Sequence, residues 1–355
     1  MTMRAAWRIG LLFLAIAIPA GEAGAAPRLV LPPATAATND GGEELAVAAG
    51  GSLIGRAGPA LRLHTIDGET IDLAKLYGRK PVYLKFWATW CAPCRAQMPA
   101  FEKEFESLGD KMQVVAVNTG FNDNADTVKA YRKALGIRMP IVIDDGALAK
   151  ALNLRVTPQH VVIGRDGRIL HIGHLEDEKL HQAFDTAIGQ GAGKASGGAA
   201  AAEKSFRLGE RPLGVEVAAL DGVSIPLIPV PRPARSTVLI FFAPWCESYF
   251  TKTRPQSSKA CRSVTAALSE KDSGARRLGI ASGLWTTRAD VADYGKSAGI
   301  GVPLGLDSDG QLFRTFGVKE IPAVIRLDSQ GRIAEKLDAG SPNFDAALGA
   351  MMKTP

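Results

Sequence analysis

The sequence predicts an α/β fold made of two similar halves, each a central mixed β-sheet flanked by helices. Three observations predict it. Short β-prone runs alternate with helical stretches along most of the chain. The order of those elements over residues 56–188 returns over residues 205–355, as in an internal repeat. Between the halves, GQGAGKASGGAAAA begins at Gly189 and gives residues 189–204 the composition of a linker.

The chain has 355 residues, room for roughly two domains of 100–200 residues each. At 46% hydrophobic it can fill packed cores, which excludes disorder throughout. Four cysteines are too few for a disulfide-stapled scaffold. No apolar run reaches the ~18 residues of a spanning helix, so a multi-pass membrane protein is not expected. The net charge is +6, with Lys and Arg spread rather than blocked, so nucleic acid is not an expected partner.

Residues 1–25 read as a secretory signal peptide. Arg4 and Arg8 precede the apolar residues 9–18, Pro19 interrupts them, and Ala23-Gly24-Ala25 fits a cleavage site. The expected destination is outside the cytosol: the periplasm, if the host is a bacterium with two membranes. Residues 26–55, rich in Ala, Gly, Thr and Pro with no sustained period, read as a flexible lead.

The elements then follow in order. Residues 81–87 (PVYLKFW) form a strand leading into Trp90-Cys91, and residues 238–242 (VLIFF) one leading into Trp245-Cys246. Strands are expected at 114–117 and 277–280, followed by helices near 125–135 and 288–298. Strands at 140–144 and 303–307 and short helices at 147–152 and 311–316 come next. After Val156-Thr157-Pro158 and Glu320-Ile321-Pro322, each half has two strands about a tight turn. Those turns are Arg165-Asp166-Gly167 and Asp328-Ser329-Gln330-Gly331. A helix closes each half, at 177–188 and 343–352.

The motif that carries chemistry is Trp90-Cys91-Ala92-Pro93-Cys94. A Cys-x-x-Cys placed after a strand and at a helix start has free amides and the positive end of the helix dipole beside its first sulfur. Both favour a thiolate on Cys91. Pro93 suits the first helical turn, where its missing N–H costs nothing. The Cys91 thiolate can attack a disulfide, and Cys94, one turn further in, can resolve the mixed disulfide. The competing readings are a structural disulfide and half a zinc site. The latter needs two more ligands at metal spacing, and His171 and His174 lie far along the chain.

Phe86-Trp-Ala-Thr-Trp-Cys-Ala-Pro-Cys-Arg95, followed by Pro99, resembles the thioredoxin superfamily, and most of all its exported TlpA/ResA-type branch. The lead-in agrees, with Gly58-Pro59, Asp67-Gly68, Ile71-Asp-Leu73 and Lys80-Pro81. The resemblance covers about residues 57–190 and implies two tandem thioredoxin-like domains, the second degenerate. It implies that Thr157-Pro158 is the loop facing the cysteines, with Pro158 cis and the backbone before it free to pair with substrate. It also implies client protein disulfides as partners, a membrane electron donor of the thiol-relay type, and no dissociable cofactor or metal.

Two positions depart from the family. Thioredoxin carries a buried Asp six residues before the first cysteine, where this chain has Lys85. The TlpA/ResA branch often carries a Glu three residues after the second cysteine, where this chain has Gln97. An ammonium near the sulfurs favours thiolates, so Lys85 is expected to lower the Cys91 pKa; the alternative is that it snorkels to solvent.

In the second half, Tyr249 stands where the second cysteine of the Cys246 motif would be. Cys261 is fifteen residues beyond Cys246, about 22 Å along a straight helix, although Pro255 could break that helix and fold the chain back. Pairing of Cys246 with Cys261, a lone reactive Cys246, and two inert buried cysteines all stay open. Pro322 is the counterpart of Pro158. His160, His171, His174 and His181 read as turn and surface residues rather than a copper site.

The function these residues favour is an exported thiol–disulfide oxidoreductase that reduces client disulfides. Two alternatives stand beside it. One is a binding scaffold whose second domain recognises a partner. The other is a peroxide-reducing enzyme, for which no P-x-x-x-T/S-x-x-C precedes Cys91.

Overall fold

A computed structural model describes residues 40–191, 197–198, 205–229, 235–271 and 274–354. The expected signal peptide (1–25), the start of the lead and most of the 189–204 linker lie outside the described residues.

The first half holds a five-stranded sheet: β1 (Val82–Trp87), β2 (Gln113–Asn118), β3 (Ile141–Ile143), β4 (Gln159–Ile163) and β5 (Ile169–Gly173). Its spatial order is β3-β2-β1-β4-β5: β1, β2 and β3 run parallel, β4 runs antiparallel to β1, and β5 runs antiparallel to β4. Helices α2 (Ala92–Leu108), α3 (Ala125–Leu135), α4 (Ala147–Ala151) and α5 (Glu178–Gly189) flank it. The second half repeats the order: β6 (Thr237–Phe242), α6 (Cys246–Phe250), α7 (Pro255–Ser269), β7 (Arg276–Ser282) and α8 (Arg288–Ser297). β8 (Leu304–Asp307), α9 (Gln311–Thr315), β9 (Ala323–Leu327), β10 (Ile333–Asp338) and α10 (Phe344–Lys353) complete it. Its sheet is ordered β8-β7-β6-β9-β10. The two halves therefore share one topology, a mixed sheet with helices on its faces.

The central strands are buried on both faces, which is why residues 82–87 and 237–242 read as nearly continuous apolar runs. Alternation still sorts them. Val82, Leu84 and Phe86 face one apolar cluster of the first half, while Tyr83 and Trp87 face the other, on the α2 side. That second cluster continues into the second half, joining Trp90, Met98 and Phe101 to Phe241, Phe250 and Phe313.

Two sequence expectations change here. Residues 42–50 of the expected flexible lead form a helix, α1 (Gly42–Gly50). Composition missed it because tertiary contacts hold it. Glu43 Oε2 accepts the amides of His174 (2.6 Å) and Leu175 (3.1 Å) beyond β5, and Asp40 Oδ1 accepts that of Gly42 (3.0 Å). Only glycine fits at position 42, where a Cβ would lie 2.7 Å from the His174 ring and 2.8 Å from Trp285. The histidine expectation also shifts: His160 and His174 are buried. Tyr83 shares a 2.7 Å hydrogen bond with His160 Nδ1, and His174 Nδ1 donates to the Pro158 carbonyl at 2.6 Å.

Of the three readings of Cys246 and Cys261, pairing is the one found. α6 stops at Phe250, α7 restarts at Pro255, and the return brings the two Cα atoms to 6.2 Å in a disulfide. Closing a fifteen-residue loop should stabilise the second half by about 2–3 kcal/mol. Cys246→Ala with Cys261→Ala is expected to lower the urea midpoint accordingly. An unchanged midpoint would mean that the bridge contributes nothing.

Candidate active site

β1 ends at Trp87 and α2 begins at Ala92, so the Trp90–Cys94 motif occupies the strand-to-helix turn at the sheet's edge. Cys91 is the N-cap residue of α2. The Cys94 amide donates to its Sγ at 3.1 Å, which satisfies one of the helix's unpaired N–H groups with sulfur. Pro93 fits the first turn, where no intrahelical donor is required. Cys91 and Cys94 are joined as a disulfide with Cα atoms 5.3 Å apart, and both are essentially fully buried, at 1% and 0% exposure. Sγ of Cys91 lies 3.3 Å from the Thr157 carbonyl oxygen, and the Thr157–Pro158 bond is cis. Trp90, Cys91, Pro93, Cys94, Thr157 and Pro158 are thus brought together from two loops at one end of the sheet.

In residues 54–172 the chain matches the AhpC/TSA family. It is 35% identical over 134 residues to the thioredoxin-like protein YneN of Bacillus subtilis, covering 37% of this chain and 78% of YneN. The thiol-disulfide oxidoreductase ResA of the same organism is 32% identical over 133 residues, 36% of this chain and 72% of ResA. The chain belongs to the thioredoxin-like thiol–disulfide oxidoreductases. Among solved structures, the exposed lipoprotein thioredoxin of Streptococcus pneumoniae is 28% identical, at a TM-score of 0.33 over 35% of this chain and 97% of that one.

The oxidoreductase's two departures from the family pattern have different surroundings. Lys85 does not snorkel. It sits on β1 between Tyr83 and Trp87, fully buried, with its ammonium 3.9 Å from Glu176 and 4.8 Å from the Phe101 ring centroid. Phe101 lies two turns along α2 from Cys94, so the immediate partners of Lys85 are an acid and an aromatic ring, not the sulfurs. Its Nζ has no hydrogen-bond partner among the described residues. Burial pushes the Lys85 pKa down to about 8, against the opposing pull of Glu176 and Glu104. Gln97, on the first turns of α2, has a buried Oε1 with no hydrogen-bond partner among the described residues.

The second half of the oxidoreductase meets this site, and here the sequence reading fell short. Trp245 stacks on Trp90 with centroids 5.7 Å apart and planes 24° from parallel. The Ala92 amide, the one next to Cys91, donates to the Tyr249 hydroxyl at 2.8 Å. Arg254 Nη2 donates to Asp123 Oδ1 (2.7 Å) and Thr89 Oγ1 (2.9 Å), and the Asp123 carboxylate is buried. The Asn122 side chain bonds both backbone groups of Ile321, donating to its carbonyl and accepting its amide at 3.2 Å each. Ile321 precedes Pro322, whose bond is also cis. In the sequence Tyr249 marks only the place of a missing cysteine, and nothing there singles out Asn122 or Arg254. The one available signal was that Tyr249 fills a motif position on a repeat of the same frame.

Proposed function

We propose that this oxidoreductase is exported and reduces disulfides of client proteins through Cys91 and Cys94. The observation that carries the proposal is Cys91 at the N-cap of α2, its sulfur accepting the Cys94 amide and lying beside the Thr157 carbonyl. In the dithiol form the same amide and the helix dipole favour a Cys91 thiolate. That thiolate attacks one sulfur of the client disulfide; an S–S bond to Cys91 forms and the client's other sulfur leaves as a thiolate. The Cys94 thiolate then attacks Cys91 Sγ, releasing the second client thiolate and forming the Cys91–Cys94 disulfide. Two electrons pass from the cysteine pair to the client, and a partner dithiol must return them. The basic, apolar and small-residue order of residues 1–25 supports export, and the resemblance of residues 86–95 to the TlpA/ResA-type branch implies a membrane electron donor of the thiol-relay type as the partner dithiol.

Removing the resolving cysteine separates the two steps. Cys94→Ser is expected to accumulate mixed disulfides on Cys91, visible as higher-mass species that dithiothreitol dissolves. Client peptides recovered from them identify the substrate. A Cys94→Ser protein that captures nothing, alongside a Cys91–Cys94 pair that glutathione cannot reduce, would overturn the exchange role.

A further inference from the structure

The two halves meet through contacts that repeat in reverse. The Asn122 amide donates to the Lys319 carbonyl at 2.7 Å, and the Trp285 amide donates to the Arg155 carbonyl at 2.8 Å. Each acceptor stands three residues ahead of a cis proline, Pro322 or Pro158. Each donor has left-handed backbone, with φ of 54° at Asn122 and 53° at Trp285. Asparagine tolerates that region, but a tryptophan there is uncommon and is held by its surroundings. The Trp285 ring packs edge-on against His174 at 5.3 Å. The motif end of each half therefore faces the motif end of the other.

This arrangement has a direct effect on the chemistry. The face that a client would have to approach is shared with the second half: Trp90 is buried against Trp245, while Ala92 and Pro93 border an apolar cavity whose far wall is Trp245, Tyr249 and Trp285. The Ala92 N–H would otherwise be an unpaired donor at a helix start, and Tyr249 fills it. Arg254 adds a charge-assisted bond to a buried carboxylate, and removing the arginine would leave that carboxylate without its cationic partner. Cys91 itself is 1% exposed, with the Thr157 carbonyl 3.3 Å from its sulfur.

We propose that the second domain is a resident occupant of the first domain's exchange face, with Tyr249 and Arg254 as its access-determining residues. Clients reach Cys91 only when these contacts open. The inference rests on the exchange reading of Cys91 and Cys94, and it gives the altered motif of the second domain a role. The position that lacks a resolving cysteine carries instead the side chain that covers the other domain's helix start.

The test uses the full-length protein, reduced and freed of reductant. The rate of Cys91 alkylation by iodoacetamide is read by peptide mass spectrometry, beside the rate of dithiothreitol-driven reduction of insulin disulfides. Arg254→Ala is expected to speed Cys91 alkylation at least tenfold, and Tyr249→Phe, which removes only the hydroxyl, about threefold. Arg254→Lys keeps the charge and should stay within twofold of the parent, a rescue that general loosening of the fold would not give. Insulin reduction should rise in the same order. Equal Cys91 alkylation rates in the parent, Arg254→Ala and Tyr249→Phe would overturn the cover, even if insulin reduction is robust. Faster alkylation in those two variants with no insulin reduction in any protein would keep the cover and remove the exchange reading.

Discussion

Cys91→Ser is expected to lower disulfide exchange by roughly 10³-fold or more, the scale of losing a nucleophile that no neighbour replaces. The reason is chemical rather than structural. A serine oxygen can still accept the Cys94 amide and cap α2, so the fold should persist with an unfolding midpoint close to that of the reduced parent. It cannot form the mixed disulfide through which electrons leave the pair. The remaining thiol, Cys94, lies inside α2 rather than at its N-cap and lacks the free amide that favours a thiolate at position 91, so it does not take over the attack. The check is dithiothreitol-driven reduction of a protein disulfide by parent and variant, with thermal unfolding measured alongside. This substitution also separates the enzyme from a scaffold that merely uses the same fold. A protein acting by docking alone would keep its activity as Cys91→Ser.

Lys85→Met should stabilise the protein by about 3 kcal/mol at pH 7. Lys85 titrates near 8 in the folded chain, because burial disfavours its charge, against 10.5 for the ordinary side chain. Below pH 8 the folded protein holds an ammonium in the core while the unfolded chain holds it in water, so the full cost is felt. Above 10.5 neither state is charged and the cost is gone. The contribution of Lys85 to stability therefore rises with pH between about 8 and 10.5, by about 1.4 kcal/mol per unit of pKa difference. Methionine fills similar space without the charge, and Glu176, the partner left behind, retains contact with water. Urea unfolding at pH 7 and at pH 10.5 tests this: the gain should be large at the first and small at the second. Equal gains at both would show that packing, not charge, sets the difference. In the same variant the Cys91 thiolate titration reports whether the ammonium reaches the sulfurs at all.

Much of the fold was legible because the signals are local. The apolar strands ending at Trp87 and Phe242, the capped helix Ala125–Leu135 and the glycine turns between the last strands all follow from near neighbours in sequence. The Cys91–Cys94 pair was legible for the same reason: its spacing and its place after a strand define its chemistry. What escaped depends on groups far apart in the chain. α1 has no strong apolar stripe and is held by Glu43 reaching His174 and Leu175, 131 and 132 residues away. The burial of Lys85 depends on Phe101 and Glu176, and its sequence context alone fits a strand end as well as a core. Tyr249 and Ala92 are 157 residues apart, and no periodicity links them. The Cys246–Cys261 bridge lay between these cases, since Pro255 marked the break but could not say where the returning chain would go.

The reciprocal bonds from Asn122 and Trp285 have the logic of an isologous dimer, in which one patch meets its own copy across a two-fold axis. A true homodimer must use the same side chains twice, and it comes apart on dilution. Here the two copies of the patch belong to one chain, so they are free to differ, Cys94 in one and Tyr249 in the other. Their encounter is intramolecular, with an effective concentration on the order of millimolar for tethered modules. If the second domain covers the exchange face as proposed, a client competes with a neighbour that no dilution of the protein can thin out.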